Sequence, residues 1–255
     1  MKKSIEKILT AIRKIFGTNK LKNNQQIIIS QQSKMIDMQN EILKSQIFNS
    51  TIIDSEWLKY RSFSPGGWAV DYGFLYTLYR VLNDMKPKNI LEFGLGQSSK
   101  MIHQYANFYQ NANAITCEHD SEWINFFQRG KIGDYSINIK HLNLDEVTYK
   151  GEKTLSYKDM PNIFGDDKFD FIVVDAPFGS PRYSRSQIID LAKYHLNDQF
   201  CIIIDDYNRL GEIETGSELI GLFKELNIQV EVTEYLGAKK HLLVCSENLI
   251  FLTTM

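Results

Sequence analysis

The sequence predicts an α/β protein built on a seven-stranded, mostly parallel sheet with helices on both faces, preceded by a helical extension. Three observations lead there. From Trp57 onward, helix-like and strand-like segments alternate, the pattern of parallel strands joined by helical crossovers. Residues 169–174, Phe-Asp-Phe-Ile-Val-Val, carry the near-continuous apolar character of a strand covered on both faces. The chain closes with 229–235, a Gly237-Ala238 connection and 241–245, which read as two antiparallel strands that an ordinary dinucleotide-binding sheet lacks.

The elements follow in order. Residues 70–82 read as a helix leading through Lys86-Pro87 to a first strand at 89–93, then a helix at 98–109, a second strand at 114–117 and a helix at 121–129. A third strand is read at 137–142 and a fourth at 169–174. A helix at 186–194, a fifth strand at 200–204 and a helix at 216–226 precede the terminal pair.

The chain has 255 residues, enough for one α/β domain with a full core and an appendage. Twenty-nine Lys and Arg against 31 Asp and Glu give a formal charge of −2, so nothing in the balance calls for a nucleic-acid partner, and any anionic ligand must be met locally. Cys117, Cys201 and Cys245 are odd in number and far apart, each inside an apolar run, which fits buried thiols of a cytoplasmic protein better than a disulfide framework or a zinc site. No stretch approaches the roughly 20 apolar residues of a membrane span, and the N-terminus lacks a signal-peptide core.

Residues 1–50 form the extension and 51–255 the main domain. In the first part, Ile5, Ile8, Leu9, Ile12, Ile15 and Phe16 stand at helical spacing with Lys3, Lys7, Arg13 and Lys14 around them, and Gly17 ends the helix. Such a helix packs on the main domain or a sister subunit, or it lies on an anionic membrane surface. In the second part, from about 24 to 48, Ile28, Met35 and Ile42 recur every seven residues with Met38 between, while Gln31 and Ser45 weaken the seam. This supports a weak dimerising helix, and a homo-oligomer is the expectation.

The most informative segment is Asn89-Ile-Leu-Glu-Phe-Gly-Leu-Gly-Gln-Ser-Ser99. Gly94 and Gly96, after a buried strand and before a helix, let a ligand approach the backbone near the free N–H groups of the helix start. A bare Gly-x-Gly turn is common. Glu92 stands where a dinucleotide fingerprint usually has an apolar residue, and Glu118 ends the next strand, where a carboxylate can accept both hydroxyls of a ribose. Ligands of open α/β sheets bind beyond the carboxyl ends of the strands. Asp175 ends the fourth strand, and Asp205 and Asp206 end the fifth. Three carboxylates on one rim repel and raise one another's pKa values, a conflict that a divalent ion such as Mg2+ or Mn2+ resolves, unless Asp205 caps a turn and Asp206 is solvated.

The runs Ile-Leu-Glu-Phe-Gly-Leu-Gly-Gln-Ser-Ser, Cys-Glu-His-Asp-Ser-Glu-Trp, Phe-Asp-Phe-Ile-Val-Val-Asp-Ala-Pro-Phe-Gly and Ile-Ile-Ile-Asp-Asp-Tyr-Asn-Arg resemble the successive motifs of class I S-adenosylmethionine (SAM)-dependent methyltransferases. The Asp-Ala-Pro-x-Gly segment with its following arginines, and the later Asp-containing strand end, resemble, within that class, the polysaccharide-biosynthesis methyltransferases that methylate a hydroxyl of uronic acids. The resemblance covers about residues 60–245 and departs from the commonest pattern in placing Ser99 where a third glycine often stands. It implies a Rossmann-like sheet of order 3-2-1-4-5-7-6 and SAM as cofactor, held by Glu92, Gly94, Gly96, Gln97, Ser98, Glu118, His119, Asp145 and Trp68. The acidic set Asp175, Asp205 and Asp206 also resembles that of metal-dependent catechol and macrolide-sugar O-methyltransferases.

The chemistry so implied is attack of a hydroxyl on the sulfonium methyl. It needs a base or a cation at the hydroxyl. Asp175 is the first candidate for base or metal ligand and His119 the second. In the loop after Asp175, Arg182, Tyr183 and Arg185 can project donors toward a diphosphate or an acidic glycan, and Tyr72, with Trp68, can stack on a sugar ring. The expected substrate is a nucleotide-linked or growing surface-polysaccharide sugar, met at the inner face of the membrane if the N-terminal helix binds there. A catechol-like small molecule and a non-catalytic SAM-fold subunit are the alternatives. An NAD-dependent oxidoreductase lacks a Tyr-x-x-x-Lys or comparable pair here.

Overall fold

A computed structural model describes residues 18–160 and 162–255, together with residues 3, 5–7 and 10. Most of the basic amphipathic segment at 5–17 thus lies outside the described residues. The elements are α1 (Thr18–Thr51), α2 (Tyr72–Arg80), β1 (Asn89–Phe93), α3 (Gln97–Phe108), β2 (Asn113–Glu118), α4 (Ser121–Gly130), β3 (Ile139–His141), β4 (Leu144–Tyr149), β5 (Glu152–Tyr157), β6 (Phe169–Val174), α5 (Gln187–Tyr194), β7 (Leu196–Ile204), α6 (Leu210–Glu225), β8 (Val230–Leu236) and β9 (Lys240–Ser246).

Seven strands form one sheet in the order β3-β2-β1-β6-β7-β9-β8, and β4-β5 form a separate hairpin. Counting the sheet strands alone, the order is 3-2-1-4-5-7-6, the predicted class I methyltransferase arrangement. The first five strands are parallel, and β9 runs antiparallel to both β7 and β8. The side-chain period of two divides the core. Ile90, Phe171, Val173, Cys201, Ile203, Leu243 and Cys245 face one layer with Leu75, Leu78, Met101 and Ile102. Leu91, Phe93, Ile172, Val174, Ile202, Ile204, Leu242 and Val244 face the other with Ile188, Leu191, Leu219 and Phe223. Residues 171–174 of β6 and 200–204 of β7 are therefore dry on both faces, which is why they read as unbroken apolar runs.

The cysteines are all free and buried, but the fold makes Cys201 and Cys245 register partners across β7 and β9, an adjacency that their distance in sequence conceals. Helix α1, about 51 Å long at 1.5 Å per residue, spans the reading at 24–48 and crosses position 50. Its last turns belong to the domain: Phe48 and Ile52 are buried, Phe48 packs on Phe63 and Tyr72, and Glu41 Oε1 accepts from the Tyr72 amide at 2.8 Å. Leu21, Ile28, Met35 and Ile42, seven apart, stay more than half exposed. No described helix is long and apolar enough to cross a membrane.

Three local readings change. The helix read at 70–82 loosens into a wider turn at Val81–Met85. The β4-β5 hairpin has no counterpart among the elements expected from sequence; its signal is Lys150-Gly151, both at positive φ (49° and 85°), the two-residue turn whose twist suits an antiparallel pair. The helix read from Gly216 starts instead at Leu210 and carries that glycine inside, because a Cβ there would lie 2.5 Å from the Tyr207 ring and 2.8 Å from Leu242.

Candidate active site

The site is assembled by register. Phe93 on β1 pairs with Cys117 on β2 and with Val174 on β6, so the next residues, Glu118 and Asp175, flank the turn that begins at Gly94. Val174 pairs with Ile204, which sets Asp205 beside Asp175. All three strands end on one rim, where the first two sheet neighbours of the glycine turn each supply a carboxylate. Gly94 adopts φ +103°, and a Cβ on it would stand 3.1 Å from the Ala176 Cβ, so the turn passes close to the β6 end only because it has no side chain. A Cβ on Gly96 would meet nothing within 4 Å, leaving the outer side of the turn open.

Two buried acids hold this turn. Glu118 accepts from the Leu95 amide at 3.0 Å, the His119 amide at 2.6 Å and the Asp120 amide at 2.9 Å, while His119 Nδ1 lies 2.8 Å away. Burial pushes the Glu118 pKa up, but the imidazole and the amides outweigh it and hold the carboxylate below its ordinary range. The same pairing raises the His119 pKa. Trp123 Nε1 donates to the Leu95 carbonyl at 2.6 Å, fixing the turn from α4. Glu92 is fully buried. Thr116 Oγ1 donates to its Oε2 at 2.7 Å, and the neutral His103, its pKa lowered by burial to about 4, in turn donates to Thr116 at 2.8 Å. Its other oxygen, Oε1, has no hydrogen-bond partner among the described residues. Burial lifts the Glu92 pKa to about 7.

That lift makes a prediction. Folding favours protonated Glu92, so its stabilising contribution is complete below its ordinary value near 4.5 and is lost as pH rises through about 7. Glu92→Gln, isosteric and uncharged, is expected to raise the melting temperature of the ligand-free protein at pH 8, by an effect on the order of 3 kcal/mol, and to leave it unchanged at pH 4. Thermal melts at the two pH values decide it; equal melting of both proteins at pH 8 contradicts the burial argument.

On the other side of the turn, the rim carboxylates surround a cation the sequence reading had facing outward. Arg185, expected to project toward substrate, is 2% exposed. Its Nη2 donates to Asp206 Oδ2 at 2.9 Å and Asp175 Oδ1 at 3.2 Å, and Nη1 donates to the backbone carbonyls of Asp205 at 2.8 Å and Val174 at 3.3 Å. The substrate role assigned to Arg185 is therefore corrected: positive φ (63°) at that residue turns the side chain under the loop and into the sheet end. Arg209 Nη1 lies 2.9 Å from Asp206, and Lys239 Nζ lies 3.4 Å from Asp206 and 3.9 Å from Asp205. Burial, with Asp175 next, pushes the Asp205 pKa well up toward the neutral acid. With that proton in place, Asp175, Asp206 and Glu212 face Arg185, Arg209 and Lys239, three charges against three.

One oxygen from each of Asp175, Asp205 and Asp206 falls within 4.8 Å of the others, the spacing expected of a Mg2+ or Mn2+ site. The donors nevertheless do not fit a divalent ion. Two of the three carboxylates already accept from one buried guanidinium, and a lysine and a second arginine complete the compensation. The repulsion that called for a metal is relieved by the chain itself. Asp175 keeps the most exposure of the three, 20% of its side chain, and burial raises its pKa to about 6 against the pull of Arg185.

The remaining predicted residues are dispersed. Gln97 Oε1 accepts from the Ser64 amide at 3.0 Å and from Lys100, tethering the 64–68 turn to α3. Arg182 pairs with Glu214 at 2.6 Å and Glu152 at 3.3 Å, tying its loop to α6 and the hairpin. Tyr183 packs on Tyr149. Asp145, exposed on β4 opposite Ser156, lines a cavity with Val147, Tyr149, Gln187 and Asp190. Tyr72 is half-buried against Phe48 under α1, so the sugar-stacking role assigned to it is corrected to core packing. Trp68 is 81% exposed, its ring 5.1 Å from that of Phe178. Phe178, Arg209, Glu212 and Lys239 were not singled out from sequence. Phe178, in the Asp-Ala-Pro-Phe-Gly run, and Arg209, ending the Asp-Asp-Tyr-Asn-Arg run, are the two with a signal in sequence.

No family model and no curated sequence relative matches the chain. Among solved structures, one from Staphylococcus aureus, assigned as a caffeoyl-CoA O-methyltransferase, is 15% identical with a TM-score of 0.45 over 68% of this chain and 82% of that one. A methyltransferase from Pyrococcus furiosus is 16% identical, TM-score 0.42, over 82% and 98%. An O-methyltransferase from Bacillus cereus in complex with S-adenosylhomocysteine is 13% identical, TM-score 0.39, over 82% and 91%. Likenesses this distant identify neither a reaction nor a substrate. Those rest on the site's own residues.

Proposed function

We propose that the protein is a SAM-dependent O-methyltransferase that methylates a sugar hydroxyl, on a nucleotide-linked or growing surface-polysaccharide acceptor. The observation that carries the reading is the register that sets Glu118 and Asp175 on either side of the Gly94 turn, with the buried Glu92 behind it. Glu92 offers an unpartnered oxygen to a ligand ammonium, and ionises as the ammonium enters. Glu118 Oε2 accepts from the Leu95 amide alone, which leaves that oxygen able to accept a ribose hydroxyl. SAM, when bound, supplies the electrophilic methyl on its sulfonium.

Asp175 holds the acceptor hydroxyl and takes its proton as the new C–O bond forms and the S–C bond breaks, with S-adenosylhomocysteine leaving. Arg185 fixes the orientation of Asp175, and positioning of the acceptor supplies much of the rate. A metal-dependent catechol-like reaction is disfavoured by the three cations already in the cluster. The sugar class rests on the sequence motifs and on the exposed aromatic pair at the rim.

Titration calorimetry with SAM, S-adenosylhomocysteine and NAD tests the cofactor: binding of the first two is expected, and binding of NAD alone sinks the reading. A mass-spectrometric screen of nucleotide sugars then seeks a gain of one methyl group. Turnover is expected to persist in EDTA without added Mg2+ or Mn2+. Complete loss in EDTA, restored by either ion, would mean that the carboxylates bind metal after all.

A further inference from the structure

Helix α1 presents a face that no other described residue covers. Along its last turns Glu41, Lys44 and Ser45 are half-buried and Phe48 is buried, with Ile52 buried just beyond, so the domain takes one stripe of the helix. On the opposite side runs a seven-residue repeat of two apolar residues followed three positions on by a glutamine: Ile28-Ile29 with Gln32, Met35-Ile36 with Gln39, and Ile42-Leu43 with Gln46. All six apolar side chains are more than half exposed, and the glutamines are exposed between them. At 3.6 residues per turn, Gln39 stands about 180° around the helix from Phe48, and the apolar pairs flank the glutamine row on both sides. Met38 and Ser45, from the second row of the seam expected from sequence, lie about 100° to one side of it, and Ser45 there meets the domain.

We infer that α1 self-associates, the glutamine row and apolar pairs of one copy packing on those of a second copy of this chain. Helices owe most of their stability to the packing of an apolar face, which α1 lacks before Glu41. A repeat of seven rather than 3.6 keeps its rows together only against another helix that supercoils with it. The glutamines decide which helix. A row of amides along the middle of an apolar face is costly against lipid chains or a purely apolar groove. A second copy brings the same row, and each amide both donates and accepts. The area also suffices: the six side chains offer roughly 100 Å² of apolar surface each. Two copies can therefore bury about 1,200 Å², before Leu21 and the glutamines are added, which reaches the range of about 1,200–2,000 Å² for specific, stable interfaces. No residue of this face belongs to the rim, so self-association stands or falls apart from the methyl-transfer reading.

The test is the mass of the full chain in solution, by light scattering after size-exclusion chromatography at about 10 µM. A mass of at least two chains is expected. Ile29→Lys combined with Ile36→Lys, both at positions exposed in the single chain, is expected to return the mass of one chain. Met38→Lys, off the face, should keep the wild-type mass. Circular dichroism reports whether the double variant retains its fold. If it does not, crosslinking replaces it, since the native cysteines are all buried. A short bismaleimide is expected to join two chains of Gln39→Cys and to leave Asp37→Cys, on the far side of the helix, as single chains. A wild-type mass of one chain overturns the interface. So does a folded double variant that keeps the wild-type mass, dissociation by Met38→Lys, or equal crosslinking at positions 37 and 39.

Discussion

Arg185→Met is expected to destabilise the fold by about 3–5 kcal/mol, the usual penalty for removing one partner of a buried charge cluster. The side chain is almost wholly buried and lies within 4 Å of Asp175, Asp206 and Glu212. Without it, three acids retain only Arg209 and Lys239, both of which reach the cluster from its more exposed side. For a domain of this size each kcal/mol moves the melting temperature by roughly 2–4 °C, so the drop should exceed about 6 °C at pH 8. It should shrink in acid, where the stranded carboxylates can take up protons. Arg185→Lys retains the charge but not the fork, which makes four hydrogen bonds to two carboxylates and two backbone carbonyls, and should fall between. Melting of Arg185→Met within 2 °C of the wild type would mean that the guanidinium is not what neutralises the rim.

Asp175→Asn is expected to lower turnover by about 10²–10⁴-fold, the range for loss of a positioned base, with SAM affinity kept within a few-fold. The amide oxygen can still accept from Arg185, so the fold should survive. In the wild type, the rate under subsaturating acceptor should rise with pH and level off above about 6, because the carboxylate must be free of its proton to act and burial has raised its pKa to that value. The residual activity of the variant should lack that inflection. If Asp175→Asn loses less than tenfold and His119→Asn loses more, the base is the histidine at the β2 end.

The core strands are legible because burial on both faces leaves few polar positions to blur them. Residues 169–174 coincide with β6, and the terminal antiparallel pair appears as β8 and β9. The glycine turn with Glu92 and Glu118 was legible for a related reason: charged residues inside apolar strands are expensive and stand out. Helix α6 was cut short because glycine reads as a boundary, whereas Gly216 is in the helix to let Tyr207 and Leu242 approach. The β4-β5 hairpin, lying outside the main sheet, lacks the apolar periodicity that reveals core strands.

The rim divides the two kinds of information most clearly. Position at strand ends was enough to bring Asp175, Asp205 and Asp206 together, since parallel strands in register must deliver their next residues to one edge. Sequence alone could then count three like charges and ask for a cation. It could not say which. Arg185 is ten residues beyond Asp175 and Lys239 more than thirty beyond Asp206, and nothing in their neighbours distinguishes a buried counter-charge from an exposed one. The loop turned at Arg185, the α6 start at Arg209 and the β8-β9 connection at Lys239 converge only in three dimensions. Register follows from local periodicity, whereas charge compensation depends on which loops pack over the strand ends, so the sequence determined the acids and the tertiary structure chose their partners.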